Sequence, residues 1–144
     1  MMSDAIVVGI DGSPDSNAAL QWAIDEARLR DCELVVVHAW SITALAMLGS
    51  YGYALDAKPP EEAGQALLDE TMQRIAESGI NTRSVLAQGS ASHAIITAAN
   101  EANLVVVGAR GHGGFSGLVL GSVSNQVVHH ALCPVVVVPL RASD

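Results

Sequence analysis

Apolar residues come along the chain in short unbroken runs, separated by stretches in which they recur at helical spacing. Residues 5–10 (AIVVGI) form a β-branched run ending at Asp11-Gly12, which predicts a strand buried on both faces. A helix follows at once. Ser13 is a suitable N-cap, Pro14 fits the first turn and Asp15 suits the positive end of the helix dipole, while Leu20, Ala23, Ile24 and Ala27 recur on one face. Residues 33–40 (ELVVVHAW) predict a second buried strand. Residues 61–78 predict a helix with Leu67, Leu68, Met72, Ile75 and Ala76 as its apolar stripe and Gly79 as its stop. There follow a strand over 82–87, a helix over 92–102, a strand over 104–107 and a glycine-rich loop to about residue 117. A helix starting near Ser116 or Gly117 and ending near residue 132, then a strand over 134–139 (PVVVVP), complete the chain.

Strands that are mostly apolar throughout and alternate with helices predict an α/β fold. The expected architecture is a doubly wound five-stranded parallel sheet of order 3-2-1-4-5 with helices on both faces. The length of 144 residues fits one domain, and neither an internal repeat nor a linker divides it. Residues 41–60 are too long for a routine connection and, with Met47, Tyr51 and Tyr53, unusually apolar for one. They read as a lid, a dimer contact, a flap or a surface loop packed on the domain.

Charge changes the picture by where it is missing. The chain has 7 Lys+Arg against 15 Asp+Glu, a net charge of −8, and only 3% aromatic residues. That balance speaks against nucleic-acid binding, which needs a basic face and usually aromatic platforms, and against anionic membranes. Residues 34–55 and 111–140 carry no charged side chain, so each is long enough to raise a membrane span. His38, Ser41 and Thr43 in the first and Asn125, Gln126, His129 and His130 in the second argue against it. Cys32 and Cys133 lie far apart, and no basic leader or cleavable apolar region is present, so reduced packing thiols in a cytoplasmic protein are expected.

Two loops that follow strands hold the candidate chemistry. After the fourth strand comes GARGHGGFSGLVLGS, residues 108–122. Glycine lets backbone N–H groups turn toward and approach phosphate oxygens, and the positive end of the following helix would face the same loop. Gly121-Ser122 would then lie in the first turns of that helix, where glycine costs about 1 kcal/mol relative to alanine. Close approach of a ligand or of another backbone is the expected reason. Asp11, at the end of the first strand, can accept from ribose hydroxyls or help hold a hydrated Mg²⁺; a plain turn or capping role is the alternative. In a 3-2-1-4-5 sheet both loops open onto one crevice at the switch point.

These residues resemble the ATP-binding branch of the universal stress protein family. Its pattern G-x2-G-x9-G-[S/T] is matched without a gap by Gly108, Gly111, Gly121 and Ser122. Further similarity lies in VGIDGS at 8–13, VVVHA at 35–39, the Gly89 loop, where Ser90-Ala91 replaces a frequent proline, and PVVVV at 134–138. The resemblance implies that Asp11 meets the nucleoside and that Ala39 offers backbone atoms to adenine. Val107 and Gly108 would line the nucleoside; Gly111, Gly121, Ser122, Val123 and Ser124 would surround the phosphates. Gly9 would flank the nucleotide. A homodimer is also implied, and an edge strand of Val135, Val136, Val137 and Val138 could pair with its copy about a two-fold axis.

Other readings fail specific tests. No P-loop pattern is present and the sole lysine, Lys58, lies outside both loops. A dinucleotide fingerprint from Gly111 has Ser116 where its third glycine belongs, and there is no G-x-S-x-G elbow, so Ser122 and Ser124 suit phosphate hydrogen bonding better than nucleophilic attack. A buried structural serine is the alternative for Ser124. His129 and His130 point to different helix faces, unlike paired metal ligands, and His38 reads as a structural histidine. Arg110 and His112 are candidate phosphate contacts or plain loop residues. The leading expectation is a cytoplasmic ATP-binding stress-response protein with no catalytic residue, in which occupancy alters a dimer surface or the 41–60 segment. The alternatives are a slow Mg²⁺-dependent ATPase or phosphoryl-transfer enzyme, an AMP or cyclic AMP binder, and a nucleotide-free interaction module.

Overall fold

The computed structural model describes residues 4–42, 59–111 and 120–140. Its elements run β1 (Ala5–Gly9), α1 (Pro14–Arg30), β2 (Glu33–Trp40), α2 (Pro60–Ala76), β3 (Thr82–Gln88), α3 (Ala91–Ala99), β4 (Leu104–Gly108), α4 (Ser122–His130) and β5 (Val135–Val138). The strands form one parallel sheet of order β3-β2-β1-β4-β5. This is the expected doubly wound arrangement, with the change of direction between β1 and β4.

Strand alternation divides the core between the two faces of the sheet. Ile6, Val8, Leu34, Val36, Leu104 and Val106 pack with Leu20, Ala23 and Ala27 of α1 and Leu68 and Ile75 of α2. Ala5, Val7, Val35, Val37, Val105 and Val107 pack with Ile95 and Ala99 of α3 and Val127 of α4. Because β1 and β4 are covered on both sides, their sequences are apolar at successive positions rather than alternately. β3 is a sheet edge, and Arg83 and Ser84 are exposed there.

Helix ends follow local chemistry. Ser13 caps α1 by accepting the Ser16 N–H at 3.2 Å, and Asp31 closes it in the left-handed region at φ 53°. Ser90 caps α3 by accepting the His93 N–H, so that serine has a defined helix-starting role after Gly89, whose φ is +117°.

The last helix is the main departure from expectation. It starts at Ser122, not near Ser116 or Gly117, and Gly121 is its N-cap with extended backbone at φ −76° and ψ 175°. The supposed cost of a glycine within the helix therefore disappears, since the N-cap residue is outside the helical φ/ψ range. Residues 112–119 and 43–58, with His112, Ser116, Met47, Tyr51 and Tyr53, lie outside the described residues.

Among the described residues β5 pairs only with β4 and is the other edge of the sheet. Ala109 N–H donates to Val138 O and Val105 N–H to Pro134 O, so even-numbered residues of β5 turn their backbone groups to β4. The backbone groups of Val135 and Val137 consequently face the open edge.

Candidate functional site

β1 leaves the sheet before its neighbour does. Its ladder with β2 ends at Gly9 opposite Val37, and Ile10 N–H then donates to Val37 O at 2.9 Å. Odd-numbered residues of β2 turn their backbone groups toward β1, as the Glu33 N–H to Asp4 O bond also shows. Ala39 has the same parity but lies beyond the end of that ladder, so its N–H and C=O face the gap left by the departing chain. His38 helps to make that gap: its Nδ1 lies 2.8 Å from Ile10 O, a hydrogen bond in which the imidazole N–H donates. His38 also packs beneath α2, where a Cβ on Gly64 would come within 3.1 Å of its ring. It is a structural histidine.

Past Ile10 the chain makes a compact turn. Asp11 N–H donates to Ser16 Oγ at 3.0 Å, Ser13 N–H donates to Asp11 Oδ1 at 2.9 Å, and Gly12 takes φ +82°. The carboxylate is thereby oriented from within its own turn. Its second oxygen faces the other loop: a Cβ built on Gly111 would stand 2.5 Å from Asp11 Oδ2. A side chain at position 111 would have to displace that carboxylate oxygen. The two loops singled out in the sequence thus touch, at the C-terminal ends of β1 and β4, where open α/β sheets hold their ligands.

The β4–α4 loop is fastened at both ends of its described portion. Gly121 N–H donates to Ala109 O at 2.7 Å, and the same carbonyl accepts the Ser124 hydroxyl at 2.8 Å. Ser124 is 2% exposed and its Oγ also lies 3.1 Å from Gly121 O, so its hydroxyl proton is used inside the fold. A Cβ on Gly121 would stand 3.3 Å from Arg110 Cα, a tight contact with backbone. Gly121 supplies no side-chain cap, and the first intrahelical donor is Asn125 N–H, bonded to Gly121 O. The N–H groups of Ser122, Val123 and Ser124 are therefore first-turn donors without helical acceptors, at the positive end of α4. Such a terminus receives anions through backbone amides.

Not every expected residue enters the crevice by its side chain. Val107 is 3% exposed and packs with the α3–α4 face, and its backbone lies in the ladder with β5, so it can shape the crevice but offers it no free polar group. A Cβ on Gly9 would overlap Ile95 Cδ1, which makes that glycine a seat for α3 on the sheet. Gly108 packs on α1: a Cβ there would come within 2.7–2.9 Å of Asp15 backbone and Cβ atoms. Ser122 is exposed and Arg110 half-buried. Asp15, which the sequence suggested only as a dipole partner, is 8% exposed and accepts the Arg110 N–H through Oδ2 at 3.1 Å. Ala109, whose carbonyl gathers two donors, also went unnoticed; a backbone acceptor leaves no mark in residue type.

Elsewhere the chemistry is poor for a nucleotide. An open groove of about 730 Å³ lies at the opposite end of the sheet, but Asp4, Asp31 and Glu33 outnumber Arg28 in its lining and disfavour phosphate. Among the described residues, no group of three His, Cys, Asp or Glu is arranged to hold a metal ion, and no helix is long and apolar enough to cross a membrane. Burial pushes both thiols above their ordinary pKa. At Cys32 the carboxylates of Asp4, Glu26 and Asp31 add to that rise while Arg30 opposes it. Both are half-buried packing groups.

Comparison with known proteins agrees with this geometry. The universal stress protein family matches residues 2–139. A universal stress protein of Mycolicibacterium smegmatis is 38% identical over 141 residues, an alignment that covers 94% of this chain and 46% of that protein. The chain spans less than half the length of the curated mycobacterial relatives it matches. Among solved structures, universal stress protein UspA from Lactobacillus plantarum is 26% identical with a TM-score of 0.77, covering 96% of this chain and 99% of that one. A universal stress protein in complex with cAMP is 25% identical with a TM-score of 0.67, over 96% and 98% of the two chains. On the fold, the paired loops and a match along nearly its whole length, the chain belongs to the universal stress protein family.

Proposed function

We propose that residues 1–144 form a single nucleotide-binding domain that takes ATP in the crevice between the β1–α1 and β4–α4 loops. It works as a homodimeric, nucleotide-dependent stress-response regulator in the cytoplasm. The observation that carries this reading is the approach of Asp11 Oδ2 to Gly111, which joins a carboxylate suited to ribose hydroxyls to a loop suited to phosphate. Ala39 backbone groups receive adenine, while Val107 and Gly108 line the nucleoside side of the crevice; Gly9 contributes by shaping the strand end. Gly111, Ser122, Val123 and Ser124 offer amides to the phosphates, joined by the Ser122 hydroxyl; Gly121, whose own N–H is held by Ala109 O, keeps the approach free of a side chain, and Arg110 and His112 are the candidate side-chain contacts for phosphate.

Mg²⁺ could accompany the phosphates. It is ordinarily held by one or two carboxylates plus phosphate oxygens; Asp11, where it does not serve the ribose, would be the carboxylate to hold it, and the ion would offset phosphate charge. Binding, not turnover, is the primary event, because the sole lysine, Lys58, is outside both loops and no phosphate-clamping lysine falls within them. The homodimer rests on β5, where Val135 and Val137 offer backbone that is unpaired among the described residues at a sheet edge, and a second copy about a two-fold axis would satisfy it.

A second reading, cyclic AMP as the preferred ligand, is favoured by the similar protein in complex with cAMP. Both ligands share the adenosine half of the crevice and differ in their demand on the α4 amides. Isothermal titration with ATP, ATP plus Mg²⁺, AMP and cyclic AMP separates them. ATP with Mg²⁺ is expected to bind most tightly. Tighter binding of cyclic AMP would transfer the assignment to the second reading, and the absence of heat with all four would remove both.

A further inference from the structure

Asp15 lies in the first turn of α1, yet its carboxylate reaches across to the loop after β4. It is 8% exposed and takes the Arg110 N–H through Oδ2 at 3.1 Å. Two residues earlier in that loop, Gly108 fits so closely on Asp15 that a Cβ would fall 2.7 Å from its carbonyl carbon and 2.8 Å from its carbonyl oxygen. One residue of α1 thus grips the loop twice, by contact with its backbone at Gly108 and by a charge-assisted hydrogen bond at Arg110.

We infer that Asp15 is a positioning residue that sets the entry of the phosphate loop against α1. With Arg110 N–H fixed, the direction of the chain into Gly111 is fixed as well, and Gly111 meets Asp11 Oδ2. Asp15 and Asp11 hold consecutive parts of one loop from one turn. Loss of the carboxylate frees Arg110 N–H and lets residues 109–111 drift from the position in which they and the α4 amides converge. The consequence for ligand binding rests on the nucleotide reading proposed above; the clamp itself does not.

The test uses Asp15→Ala and the isosteric Asp15→Asn in the full chain, with two readouts. The first is hydrogen exchange of the Arg110 amide by NMR without nucleotide. Asp15→Ala should speed it at least about tenfold, the scale of one lost charge-assisted bond, while Asp15→Asn, which keeps an acceptor oxygen, should stay close to wild type. The second is calorimetric affinity for ATP, expected to fall about tenfold in Asp15→Ala and to be restored in Asp15→Asn. Unchanged exchange in Asp15→Ala overturns the clamp. Faster exchange with unchanged ATP affinity overturns the positioning role. If wild type binds no ATP, the nucleotide reading falls, and the exchange result still decides the clamp. Should Asp15→Ala not fold, Asp15→Ser, whose oxygen stops short of Arg110, replaces it with the same expectations.

Discussion

Glycines at the candidate site do different work, and substitution can tell them apart. A Cβ on Gly9 meets Ile95 beneath α3, so Gly9→Ala should cost about 1–3 kcal/mol of stability by overpacking, read by urea unfolding, without selectively weakening the phosphate contacts. Gly121 is different: its extended φ of −76° tolerates any side chain, but a Cβ presses on Arg110 Cα at 3.3 Å. Gly121→Val should therefore abolish measurable ATP binding in calorimetry while leaving the sheet cooperative in thermal unfolding. Wild-type affinity in that variant would reject the site. Ser124 donates within the fold to Ala109 O, so Ser124→Ala should destabilise the protein by about 1–2 kcal/mol in denaturant titration. The thiols give a pH prediction. Burial raises their pKa above the ordinary 9.0, so as pH climbs past that value the unfolded chain ionises first and stability falls. Any stability that wild type holds over a Cys32→Ala/Cys133→Ala variant near neutral pH should shrink as pH rises through 9.0 in equilibrium unfolding.

At the scale of elements, the strands were legible because a sheet covered on both faces demands successive apolar residues, and only such runs as AIVVG and LVVVG satisfy it. The start of α1 was legible from Ser13-Pro14, which carries both a cap and a pre-set first turn. The start of α4 was not. Glycine, serine and apolar residues fill 113–124, Ser116 offers a capping residue type and the actual N-cap, Gly121, has no capping side chain, so the sequence started the helix too early. The two loops were legible, but the residues fastening them were not: Asp15 and the Ala109 carbonyl act through contacts between distant parts of the chain. β5 carries its own prediction. The Val137 N–H faces the open edge whereas even-numbered residues serve β4, so Val137→Pro removes an outward donor and spares the β4 ladder. Light scattering should show the wild-type homodimer replaced by monomer; a strictly monomeric wild type would sink the dimer.

Across the whole molecule, a protein of net charge −8 binds a polyphosphate only if recognition is local. On the proposed reading the crevice would supply it through glycine-exposed backbone, the start of α4, which has no side-chain cap, and one arginine, with Mg²⁺ available to offset the remaining charge. The uncharged stretch from 111 to 140 then has a physical sense: it holds the phosphate loop, its helix and the edge strand, and side-chain charge is not what any of them uses. The measurement that bears most directly on this account is mass spectrometry of small molecules released from freshly purified full-length chain, followed by calorimetry on the stripped protein. The account predicts recovery of ATP at close to one molecule per chain, or its rebinding in the presence of Mg²⁺. Recovery of no adenine nucleotide, with no heat on titration of ATP, AMP or cyclic AMP, would contradict it.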